Sequence, residues 1–217
     1  MSERHIPPLR FAALTRVYDR AIAVTLPGES FRERLTDQLA LQPGERLLDL
    51  GCGTGAMALR LARDAPDAEI VALDPDAKAL EIAREKAARA HVSVSWHECL
   101  PWNAPFADGS FDRVASSLVL HHLGPADKRR ALVCARRWLR PGGEIHIADW
   151  GRAENALMRG AFLPVQLLDG FETTAENVSQ GLVPALVEAG FLEVEETLRQ
   201  RTALGTLCLY RGRVATR

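Results

Sequence analysis

The chain has 217 residues, of which 47% are hydrophobic and 25% charged, and its formal net charge is −1. Those proportions are ordinary for one medium-sized globular domain and argue against disorder as the main state. The near-neutral balance lacks the strong basic field that nucleic-acid binding needs.

The opening run MSERHIPPLR has no apolar signal core, and no stretch is long and apolar enough to span a bilayer. A cytoplasmic protein with no membrane span is expected. Residues 1–42 read as mainly helical, a cap ahead of the first strand. Arg46–Leu50 then reads as a buried strand running into LLDLGCGTGAM, where Gly51, Gly53 and Gly55 precede a helix over Met57–Ala65. Glycines allow a sharp turn and close approach of a ligand to the backbone, and the helix start adds free amide donors. Glu69–Asp74 is the next strand, in the run IVALDPD, followed by a helix over Asp76–Ala90. Asp74 is the acidic residue about 20 positions after a glycine loop that suits ribose hydroxyls.

Further strands are read at Val92–Trp96, Arg113–Leu118 and Glu144–Asp149. A helix over Ala126–Leu139 stops at Arg140-Pro141-Gly142-Gly143. The cluster Arg129, Arg130, Arg136, Arg137 and Arg140 reads as a solvated helix face. Residues 151–190 interrupt the alternation and form an expected lid on the acceptor side. There Thr173 and Glu176 fit a capping box, and Gly181 and Pro184 divide the helical stretch in two. Glu193–Arg199 and Leu204–Tyr210 close the chain as a strand pair. Alternating strands and helices predict an α/β fold around a doubly wound, mostly parallel sheet, with ligands at the carboxyl edge.

The loop itself leaves two ligand readings open. Gly51, Gly53 and Ala56 also satisfy the dinucleotide pattern. Asp49, two residues before the first glycine, would repel a pyrophosphate but suits a sulfonium or an ammonium. S-adenosylmethionine is therefore favoured over NAD. The four cysteines, Cys52, Cys99, Cys134 and Cys208, form no CxxC pair, so neither a zinc site nor a disulfide framework is indicated. His121 and His122 are poised for proton transfer near neutral pH, with His121 the stronger candidate. No third ligand of suitable spacing accompanies them, and no metal is expected. Trp102, Trp150 and Phe171 are candidates for acceptor walls, with packing the commoner role of such side chains.

LDLGCGTG resembles motif I of the class I S-adenosylmethionine-dependent methyltransferases. LPWNAPFADGSFDRVASSLVLHHL, LRPGGEIHIADW and LVEAGFLEVEE resemble later blocks of the group containing the ubiquinone and menaquinone C-methylases. The resemblance implies a seven-stranded Rossmann-like sheet with an antiparallel last strand, S-adenosylmethionine as methyl donor and S-adenosylhomocysteine as product. It implies that the loop Gly51, Cys52, Gly53, Thr54 and Gly55 lines the methionine end and that Asp49 holds its amino group. Asp74 would take the ribose, with Pro75, Glu98 and Cys99 beside adenine. Backbone at Ser116 and Ser117 would face the donor, and Tyr18 would fold over it. HECLPW departs from the GDA-like run usual at the Glu98 position. The acceptor is expected to be a small molecule, and the chain a monomer or homodimer. An NAD-dependent oxidoreductase and a non-catalytic S-adenosylmethionine-binding protein are the alternatives.

Overall fold

The computed structural model describes residues 28–216. In chain order the elements are α1 (Gly28–Leu39), β1 (Arg46–Leu50), α2 (Ala56–Asp64), β2 (Glu69–Asp74), α3 (Ala77–Ala90) and β3 (Ser95–Glu98). Next come β4 (Phe111–Ser117), α4 (Pro125–Trp138) and β5 (Leu139–Trp150). Four short helices follow, α5 (Ala156–Ala161), α6 (Leu163–Asp169), α7 (Phe171–Gln180) and α8 (Val183–Glu188), and then β6 (Leu192–Thr202) and β7 (Gly205–Arg213).

The seven strands lie in the order β3-β2-β1-β4-β5-β7-β6. The first five are parallel neighbours, and β7 runs antiparallel between β5 and β6. Strand order reverses at β1 and β4, the place where open α/β sheets leave a crevice at their carboxyl ends.

Successive residues of the central strands point to opposite faces, so each strand feeds two cores. Leu47, Ile70 and Ala115 join Phe31, Leu35 and Leu39 of α1, Met57 and Leu61 of α2, and Leu80 of α3. Leu48, Val71 and Val114 join Trp138 of α4 and Leu186 of α8 on the other face. Fully burying such side chains stabilises by roughly 1.5–3 kcal/mol each, which makes the sheet a rigid platform for the loops at its edge. Among the described residues no helix is long and apolar enough to cross a membrane.

Three local expectations are corrected. The third strand lies at Ser95–Glu98, later than Val92–Trp96, because His91 ends α3 in the left-handed region (φ 53) and Val92 still bonds back to Ala87. Helix α4 ends at Trp138, before Arg140-Pro141-Gly142-Gly143. Those residues form the irregular start of β5, with a register shift opposite Phe111 and Arg113. Thr173 is not a cap: Gly170 begins α7, and the Thr173 hydroxyl donates to the carbonyls of Asp169 and Gly170. Glu176 reaches Arg129 instead. Gly181 ends α7 and Pro184 sits in the first turn of α8, so the expected division into two helices is observed.

Candidate functional site

β1 delivers Asp49 and then the glycine loop to the carboxyl edge, between β2 and β4. Gly51, Gly53 and Gly55 have φ of 76°, 50° and 79°, a region that β-carbon-bearing residues rarely enter. Gly51 is doubly required, since a Cβ there would sit 2.4 Å from Cγ1 of Val119. Among the described residues nothing lies within 4 Å of a Cβ built on Gly53, so that side of the loop is open.

The loop is tied from β2. The Gly51 and Cys52 amides donate to the Leu73 carbonyl at 2.8 and 3.0 Å. The Asp74 carboxylate accepts the Gly53 amide at 2.8 Å and the Asp76 amide at 2.9 Å. Lys86 of α3 holds Thr54 through its carbonyl (3.1 Å) and hydroxyl (2.9 Å). Asp74 thus positions the loop as well as standing beside it.

Asp49 is 1% exposed, and among the described residues neither of its carboxylate oxygens is in a hydrogen bond of ordinary geometry, the Ala58 amide giving only weak support. An orphaned buried carboxylate is uncommon and costly. Burial raises its pKa to about 7 and the Asp74 carboxylate pushes the same way, against the Ala58 amide and Arg32. Burial, with Asp49 and Asp74 close by, also drives the Cys52 thiol far upward. A thiol held protonated is no nucleophile.

Glu98 pairs in register with Asp74, so the ends of β2 and β3 present two acidic residues side by side, with Pro75 and Cys99 directly beyond. Ser116 is buried and its hydroxyl donates to the Leu50 carbonyl at 3.0 Å. Its side chain fastens β4 to β1. After Ser117, Leu118 turns with φ 58. That unusual conformation in a non-glycine residue sets Val119 against the loop. Tyr18 lies outside the described residues.

His121 is fully buried. Its Nδ1 donates to Asp149 at 2.7 Å, and its Nε2 lies 3.6 Å from Asp169. Burial opposes charging of the ring, but Asp149 and then Asp169 outweigh it, and the His121 pKa is raised. Burial and the neighbouring His121 hold the His122 pKa well below its ordinary value. His122 Nδ1 is 3.6 Å from the other oxygen of Asp169. His121 therefore meets two carboxylates and not an open surface.

Sequence reasoning missed Asp149, Asp169, Lys128 and Asn177. Asp149 carries the same signal as Asp49 and Asp74, an aspartate closing a buried strand. Asp169 arrives at the C-terminus of α6, where no spacing links it to the histidines. Lys128 is buried, and its Nζ donates to Asn177 Oδ1 at 2.7 Å, while Asn177 Nδ2 donates to the Trp150 carbonyl at 3.0 Å. These bonds fasten α7 over the end of β5. Trp102 sits under Arg130, 4.3 Å from its ring, against the α4 core. Trp150 is fully buried against Phe162, and Phe171 is half exposed.

Comparison with known proteins follows the same outline. The family described as "Methyltransferase domain" matches residues 47–143. The chain is 32% identical to an uncharacterized methyltransferase of Synechocystis over 78% of this chain and 77% of that protein. It is 35% identical to the 27-O-demethylrifamycin SV methyltransferase of Amycolatopsis mediterranei, over 70% of this chain and 53% of that protein. It is 36% identical to the demethylmenaquinone methyltransferase of Thermus thermophilus over 55% of this chain and 54% of that protein. The fold superposes on YcgJ of Bacillus subtilis with TM-score 0.70 at 17% identity, covering 86% of this chain and 98% of the other.

Proposed function

The chain belongs to the class I S-adenosylmethionine-dependent methyltransferases, and from that premise we propose that it transfers a methyl group to a small-molecule acceptor at the carboxyl edge of β1 and β4. The observation that carries this reading is the buried carboxylate of Asp49, which among the described residues has no hydrogen bond of ordinary geometry and only weak support from the Ala58 amide. It suits the cationic methionine end of the donor and opposes a pyrophosphate, which disfavours the dinucleotide alternative.

S-adenosylmethionine supplies an already activated methyl on its sulfonium, open to in-line displacement. The protein's task is then to hold, align and exclude water. Asp49 holds the donor's ammonium. The open side of Gly53 admits its backbone-facing edge, and Asp74, which also accepts the Gly53 and Asp76 amides, accepts from the ribose. Glu98, with Pro75 and Cys99, borders the adenine. Main chain at Ser116 and Ser117 closes the sulfonium side.

Residues 151–190 cover the acceptor. The α5–α7 stretch carries exposed Leu157, Leu163, Leu167, Leu168 and Phe171, which suits an acceptor with apolar surface. The relatives act on a rifamycin and a demethylmenaquinone by their names, two large, partly apolar small molecules. His121, closed between carboxylates, is assigned to positioning and not to contact with the acceptor.

Calorimetric titration with S-adenosylmethionine, beside turnover on a panel of phenolic and quinol acceptors, tests the reading. Binding without turnover on any acceptor would favour the non-catalytic alternative.

A further inference from the structure

At the seam between the end of β4 and the lid, three ligand atoms converge. His121 Nε2, His122 Nδ1 and a carboxylate oxygen of Asp169 all lie within 4.8 Å of one another. Both nitrogens stand 3.6 Å from Asp169, each opposite a different oxygen. That is too long for a hydrogen bond. Each nitrogen–oxygen pair has the spacing of two ligand atoms on one ion, which sit roughly 3.4 Å apart at bond lengths of about 2.1 Å and tetrahedral angles, so the carboxylate would hold the ion through both oxygens. We propose that His121, His122 and Asp169 hold one divalent transition-metal ion of the zinc class, which clamps α6 of the lid to the exit of β4.

Two further observations point the same way. Among the described residues His121 Nε2 is buried and makes no hydrogen bond, so in the neutral ring, whose proton sits on Nδ1 toward Asp149, a lone pair faces the cluster. The opposite nitrogen, Nδ1, donates to Asp149 at 2.7 Å, and Asp149 is itself fixed by the Trp150 amide at 2.7 Å. A carboxylate behind a ligating histidine is the usual support that sets tautomer and ring orientation at metal sites. Two histidines and a carboxylate suit zinc, iron(II), cobalt(II) or nickel better than magnesium or calcium, which prefer oxygen ligands.

Two carboxyl groups, Asp149 and Asp169, stand against His121, and among the described residues the buried Lys128 lies beside them. His122, with 18% of its side chain exposed, marks the way in. Three protein ligands leave a coordination position that water fills. A His121 ring that gives one nitrogen to Asp149 and the other to the ion has no lone pair left for an acceptor's proton.

The proposal rests on this geometry and not on methyl transfer, so each can fail alone. Tag-free full-length protein, stripped with chelator, is titrated with Zn2+ by calorimetry. Co2+ absorption reports histidine ligation, and donor binding is measured on the same samples. The expected result is one Zn2+ per chain at micromolar Kd or tighter, with a higher melting temperature. Asp169→Asn and His122→Ala each weaken it at least tenfold, while the surface change His91→Asn does not. Asp169→Asn, nearly isosteric, serves if His122→Ala fails to fold. Absence of Zn2+ binding by the folded wild type overturns the proposal, leaving a protonated His121 between Asp149 and Asp169 as the clamp. Binding that survives Asp169→Asn unchanged overturns it equally.

Discussion

The carboxylate of Asp74 accepts the Gly53 amide at 2.8 Å, joining the end of β2 to the glycine loop that leaves β1. One side chain thereby shapes the loop, and in the proposed reading it also accepts from the ribose of the donor. Asp74→Ala is expected to lower stability by about 1–3 kcal/mol, the scale of a lost charged hydrogen bond, and to weaken S-adenosylmethionine binding at least tenfold. Urea unfolding and calorimetry on one preparation check both effects.

Gly53 and Gly51 separate ligand space from fold. A Cβ at Gly53 meets nothing within 4 Å, whereas one at Gly51 meets Val119 at 2.4 Å. Gly53→Ala is expected to cost about 1 kcal/mol for its positive φ and to abolish donor binding in a folded protein. Gly51→Ala adds overpacking of about 1–3 kcal/mol. Equal donor affinity in Gly53→Ala would remove the loop from the binding site.

The ligand-free protein carries a pH signature from Asp49. Its folded pKa is raised from 3.8 to about 7, so the folded state holds a proton that the unfolded chain has already released. Stability therefore falls as pH rises from about 4 through about 7 and then levels, by a few kcal/mol in all. Asp49→Asn should flatten that slope and be the more stable protein at pH 8. Denaturation midpoints at pH 5, 6, 7 and 8 for both proteins decide it.

Asn177 ties α7 to the end of β5. Asn177→Ala removes the shortest of the three acceptors of the buried Lys128 ammonium and the donor to the Trp150 carbonyl, leaving Lys128 with Thr173 and Glu176 at 3.5 Å. The loss should cost about 1–3 kcal/mol and speed proteolytic cleavage within residues 156–180. Cleavage at the wild-type rate would mean that α7 is held by its apolar contacts alone.

The parallel core was legible because residues 47–50 are apolar apart from Asp49 and residues 70–73 are a continuous apolar run, ended by glycine and aspartate respectively, and both strands lie where the sequence pattern placed them. β3 was not, since Val92 and Val94 are partly buried on the approach while the pairing residues Ser95 and His97 carry no apolar signal. Asp49, the loop and Asp74 stand together at one edge because their positions follow from strand ends. Asp149 and Asp169 meet His121 only through the packing of β5 and α6, which no local pattern encodes.

The most direct measurement is calorimetric titration of S-adenosylmethionine and S-adenosylhomocysteine into wild type and Asp49→Asn at pH 6 and pH 8. The account predicts one micromolar site in the wild type, about tenfold weaker at pH 6 because Asp49 must first lose its proton, and at least tenfold weaker in Asp49→Asn without the pH dependence. A folded wild type that binds neither compound, or an Asp49→Asn protein that binds both as tightly, would contradict it.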